Sequence, residues 1–136
     1  METDPYRELS ILVVDDVKVH GFLMESGIRS INPGAKVEQA TGVEDAIAKL
    51  ENGSFHVVVS DWNMPDGGGA AIIKWMRARA HYRRVPFVMI SDANDNSDII
   101  SAFMELGVDA YVVKPFDKRD LYDKVVAAWT KRQSAS

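Results

Sequence analysis

At 136 residues the chain has room for one domain around one hydrophobic core. Hydrophobic residues make up 46% and charged residues 26%, an ordinary soluble composition, and the net charge of −4 argues against whole-domain attraction to nucleic acid. The absence of cysteine excludes disulfides, thiolate metal sites and thiol nucleophiles. The acidic start Met1-Glu2-Thr3-Asp4-Pro5 does not read as a signal peptide, and no apolar run approaches the length that spans a bilayer. A cytoplasmic protein without membrane attachment is therefore expected.

In chain order, short apolar runs alternate with segments of helical period. Ile11-Leu12-Val13-Val14 is the first strand, and its β-branched character suits burial on both faces of a parallel sheet. A helix follows from about Val17 to Ile31, with Met24, Ile28 and Ile31 inward and Pro33-Gly34 closing it; Gly21 and Gly27 count against its regularity. Lys36-Val37-Glu38-Gln39-Ala40 alternates like an edge strand. A second helix opens at Thr41-Gly42-Val43-Glu44, which reads as a capping box, and places Val43, Ile47 and Leu50 inward. Val57-Val58-Val59-Ser60 is the third strand. The glycines Gly67-Gly68-Gly69 then lead into a third helix carrying Ile72, Ile73, Met76 and Ala80 on its buried side. Pro86-Phe87-Val88-Met89-Ile90 is the fourth strand. The fourth helix should start at Ser97 or Asp98, bury Ile99, Phe103 and Leu106, and stop at Gly107. Ala110-Tyr111-Val112-Val113 is the fifth strand, and a last helix runs from about Lys118 to Arg132 with Leu121, Val125 and Ala128 inward. Five strands alternating with five helices imply an α/β fold, a (βα)5 parallel sheet covered on both faces. The whole chain reads as one domain with a core over about 8–132, a short N-terminal extension and a short tail.

Parallel sheets of this kind bind ligands beyond the carboxyl ends of their strands. Asp15 and Asp16 follow the first strand, Asp61 the third and Lys114 the fifth, while Ser91 closes the fourth. If strands one, three, four and five are neighbours, these side chains converge on one rim. Carboxylates crowded within about 4–6 Å raise each other's pKa, and a hard divalent cation relieves the repulsion. Magnesium suits an all-oxygen site that uses few carboxylates and leaves positions for water and phosphate. Lys114 supplies a point charge, Ser91 a hydroxyl donor, and a carboxylate nucleophile can form an aspartyl phosphate. Taken singly, an Asp after a strand is often a helix N-cap, and that reading stands for Asp16. The five together at successive strand ends are much harder to explain so.

At these residues the chain resembles the receiver domains of two-component response regulators, across roughly residues 8 to 132, and most of all the single-domain chemotaxis type. The resemblance rests on Ile11-Leu12-Val13-Val14-Asp15-Asp16, on Ser60-Asp61-Trp62-Asn63-Met64-Pro65 and on the block from Gly107 to Phe116 that contains Lys114-Pro115. It implies a flavodoxin-like strand order 2-1-3-4-5. It also implies phosphorylation of Asp61 by a histidine kinase, with Mg2+ held directly by Asp16, Asp61 and the backbone carbonyl of Asn63, and by Asp15 through water. Ser91 would swing toward the phosphoryl group, Lys114 would contact it across a cis Lys114–Pro115 bond, and Tyr111 would be the aromatic switch. Asn63 and Ala93 occupy positions that tune dephosphorylation. Asp92 departs from the pattern, which has a small residue after the Ser; if it points inward, it would slow anionic phosphodonors.

The resemblance further implies partners of two kinds, a histidine kinase or phosphotransfer protein upstream and a flagellar motor switch or other relay protein downstream, with no nucleic acid. The signal would leave through the face of the fourth helix, fifth strand and fifth helix. No enzyme activity is expected beyond self-phosphorylation and self-dephosphorylation. The alternatives are a phosphate sink or relay and a phosphorylation-independent binding module. An aspartyl phosphatase would need Asp-x-Asp after the first strand, and an FMN protein a hydroxyl-rich loop where Asp15-Asp16-Val17-Lys18 stands. The histidines His20, His56 and His81 read as surface or packing residues. The basic run Arg77, Arg79, His81, Arg83, Arg84 reads as a solvated face, Trp62 as partly exposed at the site mouth, and the glycine run as giving the loop after Asp61 freedom to move.

Overall fold

The β-branched runs pair into a five-stranded parallel sheet of order β2-β1-β3-β4-β5, comprising β1 (Ser10–Val14), β2 (Lys36–Ala40), β3 (Val57–Asp61), β4 (Phe87–Ser91) and β5 (Ala110–Val113). The structure is a computed structural model that describes residues 8–92, 100–101 and 104–134. Its helices are α1 (Lys18–Ile31), α2 (Val43–Asn52), α3 (Gly68–Arg77) and α4 (Lys118–Ser134), the last being the fifth that the sequence predicts. Of the predicted fourth helix, 100–101 and 104–105 have helical backbone, Leu106 packs on the core, and Gly107 follows with φ of 90° as a helix-ending glycine does; Ile99 and Phe103 lie outside the described residues.

Because side chains alternate across a strand, each central strand feeds two cores. Ile11, Val13, Val57, Val59, Val88 and Ile90 face α1 and α4, meeting Met24, Ile28, Leu121 and Val125. Leu12, Val14, Val58, Phe87 and Met89 face α2 and α3, meeting Ala46, Leu50, Ile72, Ile73 and Met76. All of these are buried. The alternating β2 sits at one edge, as its pattern demands.

Five local expectations do not hold. The capping box at Thr41 does not form: Gly42 is the N-cap with no side-chain bond, and α2 is capped instead by Asp66, whose Oδ2 accepts from Val43 N at 2.7 Å. Val43 and Ile47 are half-buried, leaving Ala46 and Leu50 as the buried contacts. Ala80 lies beyond the end of α3 and is exposed. The glycine run serves close approach rather than freedom: Gly68, at φ of 61°, opens α3 against the Trp62 carbonyl, where any Cβ would collide. Gly27, expected to weaken α1, likewise lets α4 come near, since a Cβ there would stand 2.9 Å from Lys118 Cβ.

Candidate functional site

Backbone hydrogen bonds continue the parallel ladder one step past the strands and fix the rim. Asp15 N donates to Ala40 O at 3.1 Å, Trp62 N to Ile90 O at 3.0 Å, and Lys114 N to Ser91 O at 2.9 Å. Asp15, Asp61, Ser91 and Lys114 are thus each tied to a neighbouring strand. The Lys114–Pro115 peptide is cis, as expected from the motif.

The side chains converge. Carboxylate oxygens of Asp15, Asp16 and Asp61 lie within 4.8 Å of one another. Asp15 and Asp61 are buried, whereas Asp16 is exposed. Asp16 is not the cap of α1; Val17 holds that place, with its own amide donating to Asp15 Oδ1 at 2.9 Å. Lys114 Nζ bridges the two buried acids, 3.1 Å from Asp15 Oδ2 and 3.2 Å from Asp61 Oδ2. The Asn63 amide donates to Asp61 Oδ1 at 3.3 Å.

One ammonium among three carboxylates leaves the rim with surplus negative charge, and the acidities reflect it. Burial pushes the Asp61 carboxyl up, the Lys114 charge draws it down, and Asp15 pushes it up again, for a net rise above the ordinary carboxylate value. Burial pulls the Lys114 amine down, but its hydrogen bonds to Asp15 and Asp61 and their charges outweigh that, and it ends above its ordinary value. An all-oxygen, over-charged cluster of this kind fits a small hard cation. Ser91 points the same way. It is fully buried at the end of β4, and its Oγ has no hydrogen-bond partner among the described residues, so an incoming acceptor would meet a donor already in place.

The remaining expected residues are dispersed. Asp92 is exposed, the condition under which it does not crowd the acceptor. Ala93 lies outside the described residues. Tyr111, on the edge strand β5, is 37% exposed. Trp62 is half-buried against the α2–α3 core, in keeping with a place at the site mouth.

Two groups were misread from sequence. His20 is a member of the rim: its Nδ1 lies 3.1 Å from Lys114 Nζ and 3.4 Å from Asp15 Oδ2. No local signal marks it, because its partner Lys114 lies 94 residues along the chain. Arg77 is no part of a solvated face. Its guanidinium donates to the carbonyls of Tyr82, Arg83, Val85 and Gly107, and pairs with Asp109. Arg79 Cζ lies over the Trp75 ring, 3.9 Å from its centre. The other histidines do pack: His56 Nδ1 accepts from Ser10 N and its ring meets Trp129 edge-on, while His81 meets Tyr82.

A sequence model of the response regulator receiver domain matches residues 11–126. The chain belongs to that family. This receiver domain is 29% identical over 117 residues to a chemotaxis protein CheY homolog from Campylobacter jejuni, covering 86% of the chain and 89% of the relative. Among solved structures, the Vibrio cholerae chemotaxis protein CheY4 superposes with a TM-score of 0.82 at 25% identity, over 89% of this chain and 98% of that one. A CheY-like receiver domain protein from Methanospirillum hungatei gives 0.83 at 22% identity, over 95% and 99%, and so speaks to the fold alone. As a receiver domain the chain is a two-component signalling module. No helix among the described residues is long and apolar enough to cross a membrane.

Proposed function

We propose that the chain works as a single receiver unit that takes a phosphoryl group onto Asp61 from the phosphohistidine of a histidine kinase or phosphotransfer protein, and that Mg2+ occupies the acidic rim. The observation that carries this reading is the buried Asp61 carboxylate, 3.2 Å from Lys114 and sharing its cluster with two more acids that one lysine does not neutralise. Asp16, Asp61 and the Asn63 carbonyl would hold the cation directly, and Asp15 through water. The cation supplies charge neutralisation for the transferring group. In the transfer, an Asp61 oxygen forms the new P–O bond as the P–N bond to the donor imidazole breaks. Lys114 Nζ and the unpartnered Ser91 hydroxyl then donate to the phosphoryl oxygens.

Output follows from a population shift. Ser91 Oγ moving toward the phosphoryl group leaves room behind the end of β4, and Tyr111, exposed in this state, turns in. The groove between β5 and α4 that Tyr111 lines with Val113 and Lys124 changes shape with it and presents a new surface to a downstream protein. The likeness to chemotaxis relatives supports a flagellar motor switch or another relay protein as that target, in the cytoplasm. Asn63 and Ala93 would tune the lifetime of the phosphorylated state, and Asp92, being exposed, would leave anionic phosphodonors unhindered.

Intact-mass measurement after incubation with acetyl phosphate tests the reading. The expected result is a gain of one phosphoryl group with Mg2+, none with EDTA, and none in Asp61→Asn. Labelling that persists in Asp61→Asn would move the acceptor elsewhere. No labelling by acetyl phosphate or by any phosphohistidine donor would leave a phosphorylation-independent binding module.

A further inference from the structure

Lys114 has a third acceptor that neither the charge count nor the strand-end pattern requires. His20, on the first turn of α1, brings Nδ1 to 3.1 Å from the ammonium, closely matching the 3.1 and 3.2 Å to Asp15 and Asp61. An ammonium has only hydrogens to offer, so as a partner of Lys114 the Nδ1 atom acts as the ring nitrogen without one. The 3.4 Å between Nδ1 and Asp15 Oδ2 is then two acceptors turned toward the same donor and not a bond between them.

The three acceptors differ in what happens to them when the rim fills. Asp15 and Asp61 are the oxygens a cation in this cluster would engage, and a divalent charge beside them repels the ammonium. The imidazole of His20 belongs to α1, carries no negative charge for the cation to compete for, and remains available. We propose that His20 is a positioning residue that keeps Lys114 at the rim once a cation has taken over the carboxylates. This rests on the reading of Lys114 as the phosphate-contacting amine. In this arrangement the lysine enters phosphoryl transfer already placed, rather than swinging out along the groove between α1 and the Lys114–Lys118 turn, which Leu23, Pro115 and Phe116 also line.

Amine footprinting reads the position of Lys114 without any phosphoryl transfer. Brief reductive methylation followed by peptide mass spectrometry gives the labelling of Lys114 relative to the exposed Lys36 and Lys74, in saturating MgCl2 and in EDTA. Loss of one hydrogen bond to a charged group should speed Lys114 labelling in His20→Ala by about tenfold over wild type with Mg2+, and by less in EDTA, where both carboxylates still hold it. His20→Asn, whose amide oxygen sits the same number of bonds from the backbone as Nδ1, should label like wild type. Equal labelling of Lys114 in wild type and His20→Ala with Mg2+ overturns the proposal. So does His20→Asn behaving like His20→Ala, since that would make the ring a packing element and not an acceptor. A wild type that shows the His20-dependent protection yet takes up no phosphoryl group would refute the function proposed above and leave the clamp standing.

Discussion

The two ends of the sheet both bury charge, and they do it in opposite ways. At the carboxyl rim three acids face one lysine, with Ser91 Oγ unpartnered. At the amino edge one acid, Asp109, faces two guanidiniums: Oδ1 takes Arg132 at 2.7 Å, while Oδ2 takes Arg77 at 3.4 Å and the Phe87 amide at 2.8 Å. There the surplus positive charge is spent on backbone carbonyls, four of them bound by Arg77 alone. The amino edge is closed by its own groups apart from Arg77 Nε, which is buried without a partner among the described residues. The rim is complete only with something added, and a fold that keeps such a cluster gives up stability for a binding site.

Asp109→Ala should break the closed end hardest. It leaves two partly buried guanidiniums and the Phe87 amide without their acceptor, so a loss of about 3 kcal/mol is expected in urea unfolding. A loss below that of an ordinary surface substitution would show that the edge is not a charge lock. At the rim the sign reverses. The Asp61 carboxyl is raised above its unfolded value, so between the two values the folded protein binds more protons than the unfolded one. Stability of the metal-free protein should therefore fall as pH rises through that window and stay reduced above it. Asp61→Asn should remove this fall and stabilise the protein in EDTA by about 1 kcal/mol near neutral pH. Equal wild-type and Asp61→Asn unfolding curves from acid to neutral pH would erase the contrast between the ends. The smallest effect belongs to Arg79→Ala, which loses an exposed cation–π contact with Trp75 and an exposed hydrogen bond to its carbonyl, and should cost about 0.5 kcal/mol.

The sequence made the sheet and most of the rim readable because both are local. A strand such as Val57–Asp61 announces itself in five consecutive residues, and Asp15, Asp61 and Lys114 each follow directly from a strand that can be recognised alone. What escaped depends on partners far along the chain. The cap of α2 comes from Asp66, 23 residues beyond Val43, and overrides a plausible local Thr41 box. Arg77 reaches Asp109, 32 residues away, and so looked like one more charge in a basic run. His20 meets Lys114 across 94 residues, and a lone histidine on a helix carries no mark of that. Gly68 was visible as a glycine, but its reason, the Trp62 carbonyl behind it, was not.

The hydrogen bond from Val43 N to Asp66 Oδ2 ties the connection that carries Asp61 into α3 to the first residue of α2, on the side of the sheet away from His20 and α4. Any event at Asp61 that displaces Asp66 uncaps a helix it never touches. The Val43 amide is therefore a gauge built into the molecule. Its exchange with solvent deuterium registers the state of the acceptor segment from a site that neither metal, phosphodonor nor output partner needs to approach.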